Sequence, residues 1–298
     1  VVAFGGNALL PPGGIPTDQA RAAAGLSRAL PMLLRPDEGA VLVHGNGPQV
    51  GMLLLRMEAA RDALAEPLDM LVAETQGSLG YIMAREIRRA GSVHEVAAVI
   101  TQVVVDEEDL AWDNPDKPVG PFYSDQRAEE MRLLGWDMVK QENGWRRVVP
   151  SPRPLRVVEA HTISDAVSHG HLVVAGGGGG IPVVEAADGL AGVEGVVDKD
   201  LTAALLAVDL KARLFLILTD VDSVYRSWGR PERKRLESVN VAEAQSLLAA
   251  GEFSAGSMGP KVEAAMQYVE QTGQPALITD LNHLAASMDG KGGTWVVK

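Results

Sequence analysis

Three lysines are the residues of this chain best suited to handling phosphate. Lys199 stands between Asp198 and Asp200 at the start of an Ala/Leu helical run, and Lys261 follows Gly259-Pro260 at the start of another. A cation placed there adds its charge to the positive end of a helix dipole, and both favour an anion. Lys117 lies in a rigid, proline-flanked turn, Asn114-Pro115-Asp116-Lys117-Pro118. Each lysine also has the ordinary alternative of a solvated surface charge, Lys117 most of all. Asp200 is placed to orient two lysines, or to be a simple carboxylate at a helix N-terminus. Phosphoryl transfer needs cations fixed around the moving group, from lysines or a metal, and this set would serve that chemistry.

Glycine is the second feature. Residues 176–180 are consecutive glycines, and they follow a β-branched run at 172–175. Ordering residues without Cβ costs backbone entropy, so packing alone is a poor reason for them. Backbone N–H groups closing around an anion are a better one, which marks Gly176, Gly177 and Gly178 as candidates. A flexible surface loop is the alternative. Gly5-Gly6-Asn7 and Gly45-Asn46-Gly47 follow two more apolar runs, and an acidic turn at Asp220 follows another. In a parallel sheet such strand ends share one edge and line one crevice.

Several familiar signatures are missing. The chain has no G-x-x-x-x-G-K-[ST], and Gly51 comes one residue too late after Gly45-x-Gly47 for G-x-G-x-x-G. P-loop and dinucleotide-binding Rossmann domains are therefore disfavoured. His44 and His161 sit near strand or loop ends and read as structural. No Ser/His/Asp set or His-x-x-x-His spacing assembles, which weakens hydrolase and zinc chemistry.

The elements that must position these residues alternate. Strands are expected at residues 1–4, 40–43, 96–105, 172–175, 213–218, 276–279 and 294–297, and helices at 17–34, 50–64, 68–89, 163–169, 241–250 and 258–271, with another ending near 208. That alternation predicts an α/β fold, a mostly parallel sheet covered on both faces. Gly77 and Gly80 interrupt the 68–89 helix at a cost of ~1 kcal/mol each, so they mark close packing or ligand approach. Residues 106–154 break the pattern: polar, proline-punctuated, and carrying Trp112, Trp136 and Trp145. They read as an ordered, loop-rich lobe protruding from the sheet. The charged piece 226–235 reads as a solvated loop.

Composition narrows the partners. With 298 residues, 46% of them hydrophobic, the chain suits one large domain or one domain plus an insertion. A formal net charge of −12 disfavours nucleic acid and anionic membranes. No apolar stretch approaches a membrane span and no secretory signal is evident. Without cysteine there is no disulfide, cysteine-ligated metal or thiol nucleophile. A cytoplasmic address is the default expectation.

Taken whole and in order, the chain resembles the carbamate kinases of the amino acid kinase family. The matching segments are Ala3-Phe4-Gly5-Gly6-Asn7-Ala8, His44-Gly45-Asn46-Gly47-Pro48-Gln49-Val50-Gly51, Thr75-Gln76-Gly77-Ser78-Leu79-Gly80-Tyr81 and Thr101-Gln102-Val103-Val104-Val105-Asp106. They continue through residues 114–122, 144–152 and 176–184, then Asp198-Lys199-Asp200 and Gly256-Ser257-Met258-Gly259-Pro260-Lys261. The resemblance implies a three-layer αβα sandwich, a single domain over residues 1–298 with residues 106–154 inserted as a protruding lid, and a homodimer. It implies reversible, Mg²⁺-dependent phosphoryl transfer between ATP plus carbamate and ADP plus carbamoyl phosphate, run by many relatives towards ATP in arginine or purine-derived catabolism.

By the same resemblance Gly5, Gly6, Asn7, Gly45, Asn46 and Gly47 would face carbamate and the transferred phosphoryl group. Lys199 and Lys261 would bind nucleotide phosphates, Asp200 would orient them, and Lys117 would reach in from the lobe. Asp220, Val221, Tyr225 and Met258 would meet the nucleotide, with Ser223 where the wider family often has glycine. No residue is assigned as a direct metal ligand. The rivals are another amino acid kinase acting on a carboxylate or small phosphate, and a silent nucleotide sensor; a sensor would have lost a phosphate lysine, and all are present. The candidate segments hold no placed His or Glu to act as a base. An arginine fork for an α-carboxylate would have to come from Arg146 or Arg147.

Overall fold

Eight strands make the central sheet of the computed structural model, which describes residues 1–5, 16–60, 66–92, 94–254 and 256–298. The first elements are β1 (Val2–Phe4), α1 (Pro16–Leu33), β2 (Ala40–His44), α2 (Gly47–Ala59), α3 (Leu68–Arg89), β3 (Val96–Ala98) and β4 (Gln102–Val105). The lobe supplies β5 (Lys117–Tyr123), α4 (Asp125–Leu133), β6 (Met138–Gln141) and β7 (Gly144–Val149). Next come β8 (Pro154–Val157), α5 (Ala160–Ser168), β9 (Leu172–Val174), β10 (Ile181–Ala186), β11 (Gly189–Gly192), α6 (Lys199–Asp209) and β12 (Phe215–Thr219). The chain ends with β13 (Val224–Arg226), β14 (Lys234–Leu236), β15 (Ser238–Asn240), α7 (Val241–Ala249), α8 (Met258–Thr272), β16 (Ala276–Asp280), α9 (Leu284–Met288) and β17 (Thr294–Val297).

The sheet order is β15-β17-β16-β12-β1-β2-β9-β3, parallel throughout except where β17 runs antiparallel to β16. Strand side chains alternate between faces, and here both sets are apolar. Ala3, Val41, Val43, Val173, Phe215 and Ile217 pack against α5, α6 and α8. Val2, Phe4, Leu42, Val174, Leu216 and Leu218 pack against α1, α3 and α9. A sheet buried on both faces is the middle layer of an αβα sandwich, as expected from the alternation of strands with helices and from the family resemblance. Gly80 marks close packing: a Cβ there would lie 2.8 Å from the Ala98 Cβ. Gly77 faces open space.

Three local expectations need correction. Residues 96–105 are two strands: β3 joins the central sheet beside β9, and β4 joins a second sheet of order β11-β10-β4-β8. The break is polar. Thr101 Oγ1 donates to the Val99 carbonyl at 2.8 Å, and the Gln76 amide takes both backbone groups of Thr101, accepting from its N–H at 2.7 Å and donating to its carbonyl at 3.1 Å. The lobe is also more regular than its composition suggests, a three-stranded antiparallel sheet of order β5-β7-β6 with α4 beside it. Pro118 and Pro121 lie in β5, which pairs on one side alone, and an edge strand tolerates the missing N–H. Finally, residues 226–235 are bounded by an antiparallel pair, β13 with β14.

Candidate active site

The carboxyl ends of β1, β2, β9 and β12 converge on one cleft of about 280 Å³, with Gly5, Gly45, Gly178 and Asp220 in its wall. Helices α2, α6 and α8 begin there as well, through Gly47, Lys199 and Ser257. Each brings orphan N–H groups and the positive end of a dipole. Lys117 and Pro118 close the cleft from the lobe. Lys117 is the first residue of β5, where a rigid turn was expected.

The charged groups form one connected set. Asp198 caps α6: its Oδ1 accepts from the Asp200 N–H at 2.8 Å and its Oδ2 from Lys117 Nζ at 2.6 Å. Asp200 is buried and bridges two lysines, Oδ1 to Lys199 Nζ and Oδ2 to Lys261 Nζ at 3.2 Å. Lys261 also donates to the Ser257 carbonyl at 3.2 Å. Burial alone would raise Asp198, but the charge and hydrogen bond of Lys117 outweigh it and hold the carboxyl at about 2. Burial lowers Lys199 despite the opposing pull of Asp200, with the Lys261 charge adding to the fall. For Lys261 burial is outweighed by Asp200 and Asp198, and its pKa rises. Three lysines and the carboxylates of Asp198, Asp200 and Asp220 share the cleft, so their formal charges balance, and the three helix N-termini supply the bias towards an anion.

The glycine run serves this site chiefly by close approach. A Cβ on Gly177 would lie 2.4 Å from His44 Nε2, one on Gly179 2.0 Å from the Val197 carbonyl oxygen, and one on Gly180 2.2 Å from Val103 Cγ2. Gly178, with φ +68°, has its missing Cβ 2.1 Å from Asn46 Nδ2. Packing therefore explains more of the run than its composition suggested. Of the three anion-cradle candidates, Gly178 lines the cleft, while Gly176 and Gly177 lie behind it against Val43, Thr202, His44 and Gln76. The Gly5 and Gly45 N–H groups are spent on strand carbonyls of Leu218 and Phe4 at 3.1 and 2.9 Å, so both residues offer the cleft shape more than donors. Gly6 and Asn7 lie outside the described residues.

His44 is buried; its Nδ1 donates to the Gly45 carbonyl at 3.1 Å, and burial, then the Lys199 charge, lower it to about 4. It is neutral at pH 7 and does not line the cleft. His161 is exposed on α5. The described lining residues include no histidine, glutamate or arginine. Arg146 donates to the Pro118 and Gly120 carbonyls at 3.3 and 3.0 Å, and Arg147 pairs with Glu194 at 3.2 Å. Among the described residues no group of three or more His, Asp or Glu side chains is arranged to hold a metal.

Asp220 and Ser257 also belong to an adjoining pocket of about 350 Å³, lined by Val221, Tyr225, Trp228, Phe253 and Met258. The Tyr225 and Trp228 rings lie 5.4 Å apart, with the Arg233 guanidinium 4.9 Å from the Tyr225 ring centre. An aromatic pocket opening into a cleft with three lysines and three helix N-termini has the polarity of a nucleoside phosphate. Sequence reasoning missed Trp228 and Phe253; the signal available was a large aromatic inside a charged run. It also had no role for Thr75 and Gln76, whose side chains hold Asn46 and the Gly177 carbonyl at 2.9 Å each.

A sequence model of the amino acid kinase family matches residues 1–280. The chain is 45% identical over 300 residues to carbamate kinase from Halobacterium salinarum, covering 100% of this chain and 97% of that protein. It is 43% identical over 310 residues to carbamate kinase from Thermococcus kodakarensis, covering 100% and 98%. Carbamate kinase from Giardia lamblia bound to AMP-PNP superposes with a TM-score of 0.91 at 35% identity, over 100% of this chain and 97% of that one.

Proposed function

We propose a division of labour in the cleft from one premise: this chain belongs to the amino acid kinase family, and within it to the carbamate kinases. It is a phosphotransferase that moves a phosphoryl group reversibly between ATP and carbamate. The observation that carries the assignment of roles is Asp200, one buried carboxylate bridging two lysines at the starts of two helices. Lys199 and Lys261 hold the nucleotide phosphates and the group in flight. Loose phosphoryl-transfer transition states spread charge over the equatorial oxygens, so fixed cations are the main catalytic device. Lys117 completes the clamp from the lobe, leaving Asp198 as phosphate takes its place. The nucleoside sits in the adjoining pocket beside Val221, Tyr225, Trp228 and Met258, with Asp220 at its junction with the cleft.

Carbamate meets the end of the cleft formed by Gly5, Asn46, Gly47 and Gly178, with Gly6 and Asn7 joining them by family resemblance. Its attacking oxygen is already anionic, so no base has to remove a proton from it. The absence of His and Glu from the described lining agrees with that. Mg²⁺ prefers one or two carboxylates plus phosphate oxygens and water. Asp220 fits that donor set: it accepts from the Thr219 hydroxyl at 3.0 Å and pairs with no lysine or arginine among the described residues, whereas Asp198 and Asp200 are engaged. When bound, the ion supplies charge neutralisation on the phosphate oxygens. We further propose a cytoplasmic homodimer that runs towards ATP in arginine or purine-derived catabolism. Formation of ATP from ADP and carbamoyl phosphate by the purified chain with Mg²⁺ tests the function; no ATP above the protein-free rate would overturn it.

A further inference from the structure

Resting on the carbamate kinase reading, we propose that Thr75 is a positioning residue that sets the hydrogen-bonding sense of the Asn46 amide, and that through it the cleft recognises the amino group of carbamate. Asn46 lines the cleft, 8% exposed, and its Nδ2 donates to Thr75 Oγ1 at 2.9 Å. Thr75 is buried on α3, and its own hydroxyl donates to the Val72 carbonyl at 2.8 Å. A hydroxyl has one proton. With that proton committed to Val72, Thr75 has only lone pairs to offer Asn46. Turning the amide over would set its carbonyl oxygen against a hydroxyl oxygen with no proton between them, or take the proton from the Val72 carbonyl and leave two oxygens 2.8 Å apart without one.

The amide nitrogen is therefore held towards α3, and Oδ1 is left as an acceptor with no partner among the described residues. Gly178 closes over the same amide, where a Cβ would lie 2.1 Å from Nδ2 and 2.6 Å from Oδ1, so the group is clamped from two sides. The cleft's lysines serve phosphate and carboxylate oxygens; of its three aspartates, Asp198 and Asp200 are engaged by those lysines and Asp220 lies at the junction with the nucleoside pocket. An oriented acceptor among them suits the part of carbamate that donates, its NH₂. Acetate carries a methyl there. A site built to hydrogen-bond an N–H rejects the analogue lacking it by far more than a methylene-sized difference in volume would.

The test compares carbamoyl phosphate with acetyl phosphate as phosphoryl donor to ADP, since the two differ in NH₂ against CH₃. The wild-type chain with Mg²⁺ should favour carbamoyl phosphate by about 10³ or more in kcat/KM. Thr75→Val keeps the shape and removes the acceptor; it should cut that preference about tenfold, through KM for carbamoyl phosphate, with KM for ADP unchanged. Thr75→Ser keeps the hydroxyl and should restore the preference. A merely structural role would slow both donors alike and raise KM for ADP as well. Should the valine variant not fold, Thr75→Ala takes its place with the same expected ratio. Carbamoyl phosphate turned over with an unchanged ratio in Thr75→Val or Thr75→Ala, or wild-type use of acetyl phosphate within tenfold, overturns the role of Thr75 and Asn46 alone. A wild-type chain that uses neither donor overturns the functional reading and this inference with it.

Discussion

Asp200 keeps two ammonium groups at one carboxylate that would otherwise repel each other, and in the proposed mechanism this makes the clamp available before phosphate arrives. Removing one preorganised donor of this kind typically costs 10²–10³ in kcat. Lys199→Ala and Lys261→Ala should each lower steady-state kcat by about that much, and turnover at the wild-type rate would show that the lysine is not in the clamp. Asp200→Asn should act through ionisation. Burial already lowers Lys199 against the pull of Asp200. Without that carboxylate the lysine loses its proton at lower pH, so the alkaline limb of kcat/KM should move towards neutrality; an unmoved limb contradicts the coupling. His44 gives a separate signature in stability. Its folded pKa of about 4 lies below the ordinary 6.5, so the unfolded chain takes up the proton first as pH falls. Stability from this group is complete above 6.5 and declines towards 4, by on the order of 3 kcal/mol. Urea unfolding at pH 7, 5.5 and 4 should show that slope in wild type and lose it in His44→Gln.

At the scale of elements the lobe matters most. Val119 and Val149, at its base, share a cluster with Val50 and Leu54 of α2 and Leu68 and Leu71 of α3. Tyr123 donates to Glu58, and Arg127 lies 3.6 Å from the same carboxylate. The base is thus fastened to the body, so the closure expected of the lobe as a lid would take place in the parts beyond it. Hydrogen exchange over residues 106–154 should slow when ADP and carbamoyl phosphate are added, with residues 119 and 149 protected in both states. Lys117→Ala should lower kcat; a variant with wild-type rate and affinity would leave the motion standing and remove the lysine from catalysis. Gly177→Ala forces a methyl against the His44 ring and the Gln76 side chain, 2.4 and 3.0 Å away, and neither is free to move. Overpacking of this kind costs about 1–3 kcal/mol, measurable as a lowered urea midpoint. The central strands and their helices were legible because each carries an unbroken apolar run or a sustained helical period. The split between β3 and β4 was not: it depends on the Gln76 side chain, distant in sequence, replacing a strand partner at Thr101. The lobe's strands were hidden because prolines and charged residues sit on an edge strand and exposed faces, where alternation is weak.

At the scale of the molecule, the topology does what no single motif does. Parallel order brings the ends of β1, β2, β9 and β12 to one edge, and the same connections bring the starts of α2, α6 and α8 there. A chain with net charge −12 thereby brings three lysines and three helix N-termini to the cleft proposed to bind its anionic substrates. The lysines, Asp200 and the glycine turns could be named from residue type and their place beside apolar runs. Asp198 as the partner of Lys117, and Thr75 behind Asn46, could not, because those pairs span 81 and 29 residues. On the proposed function the acceptor is a small anion that needs no base and no arginine fork. ADP formation from ATP and Mg²⁺ with carbamate, acetate, bicarbonate, N-acetylglutamate, aspartate and UMP at equal concentration puts that to the test. Turnover is expected with carbamate, weak turnover at best with acetate or bicarbonate, and none with the rest. Efficient phosphorylation of N-acetylglutamate or aspartate, with carbamate inert, would contradict it.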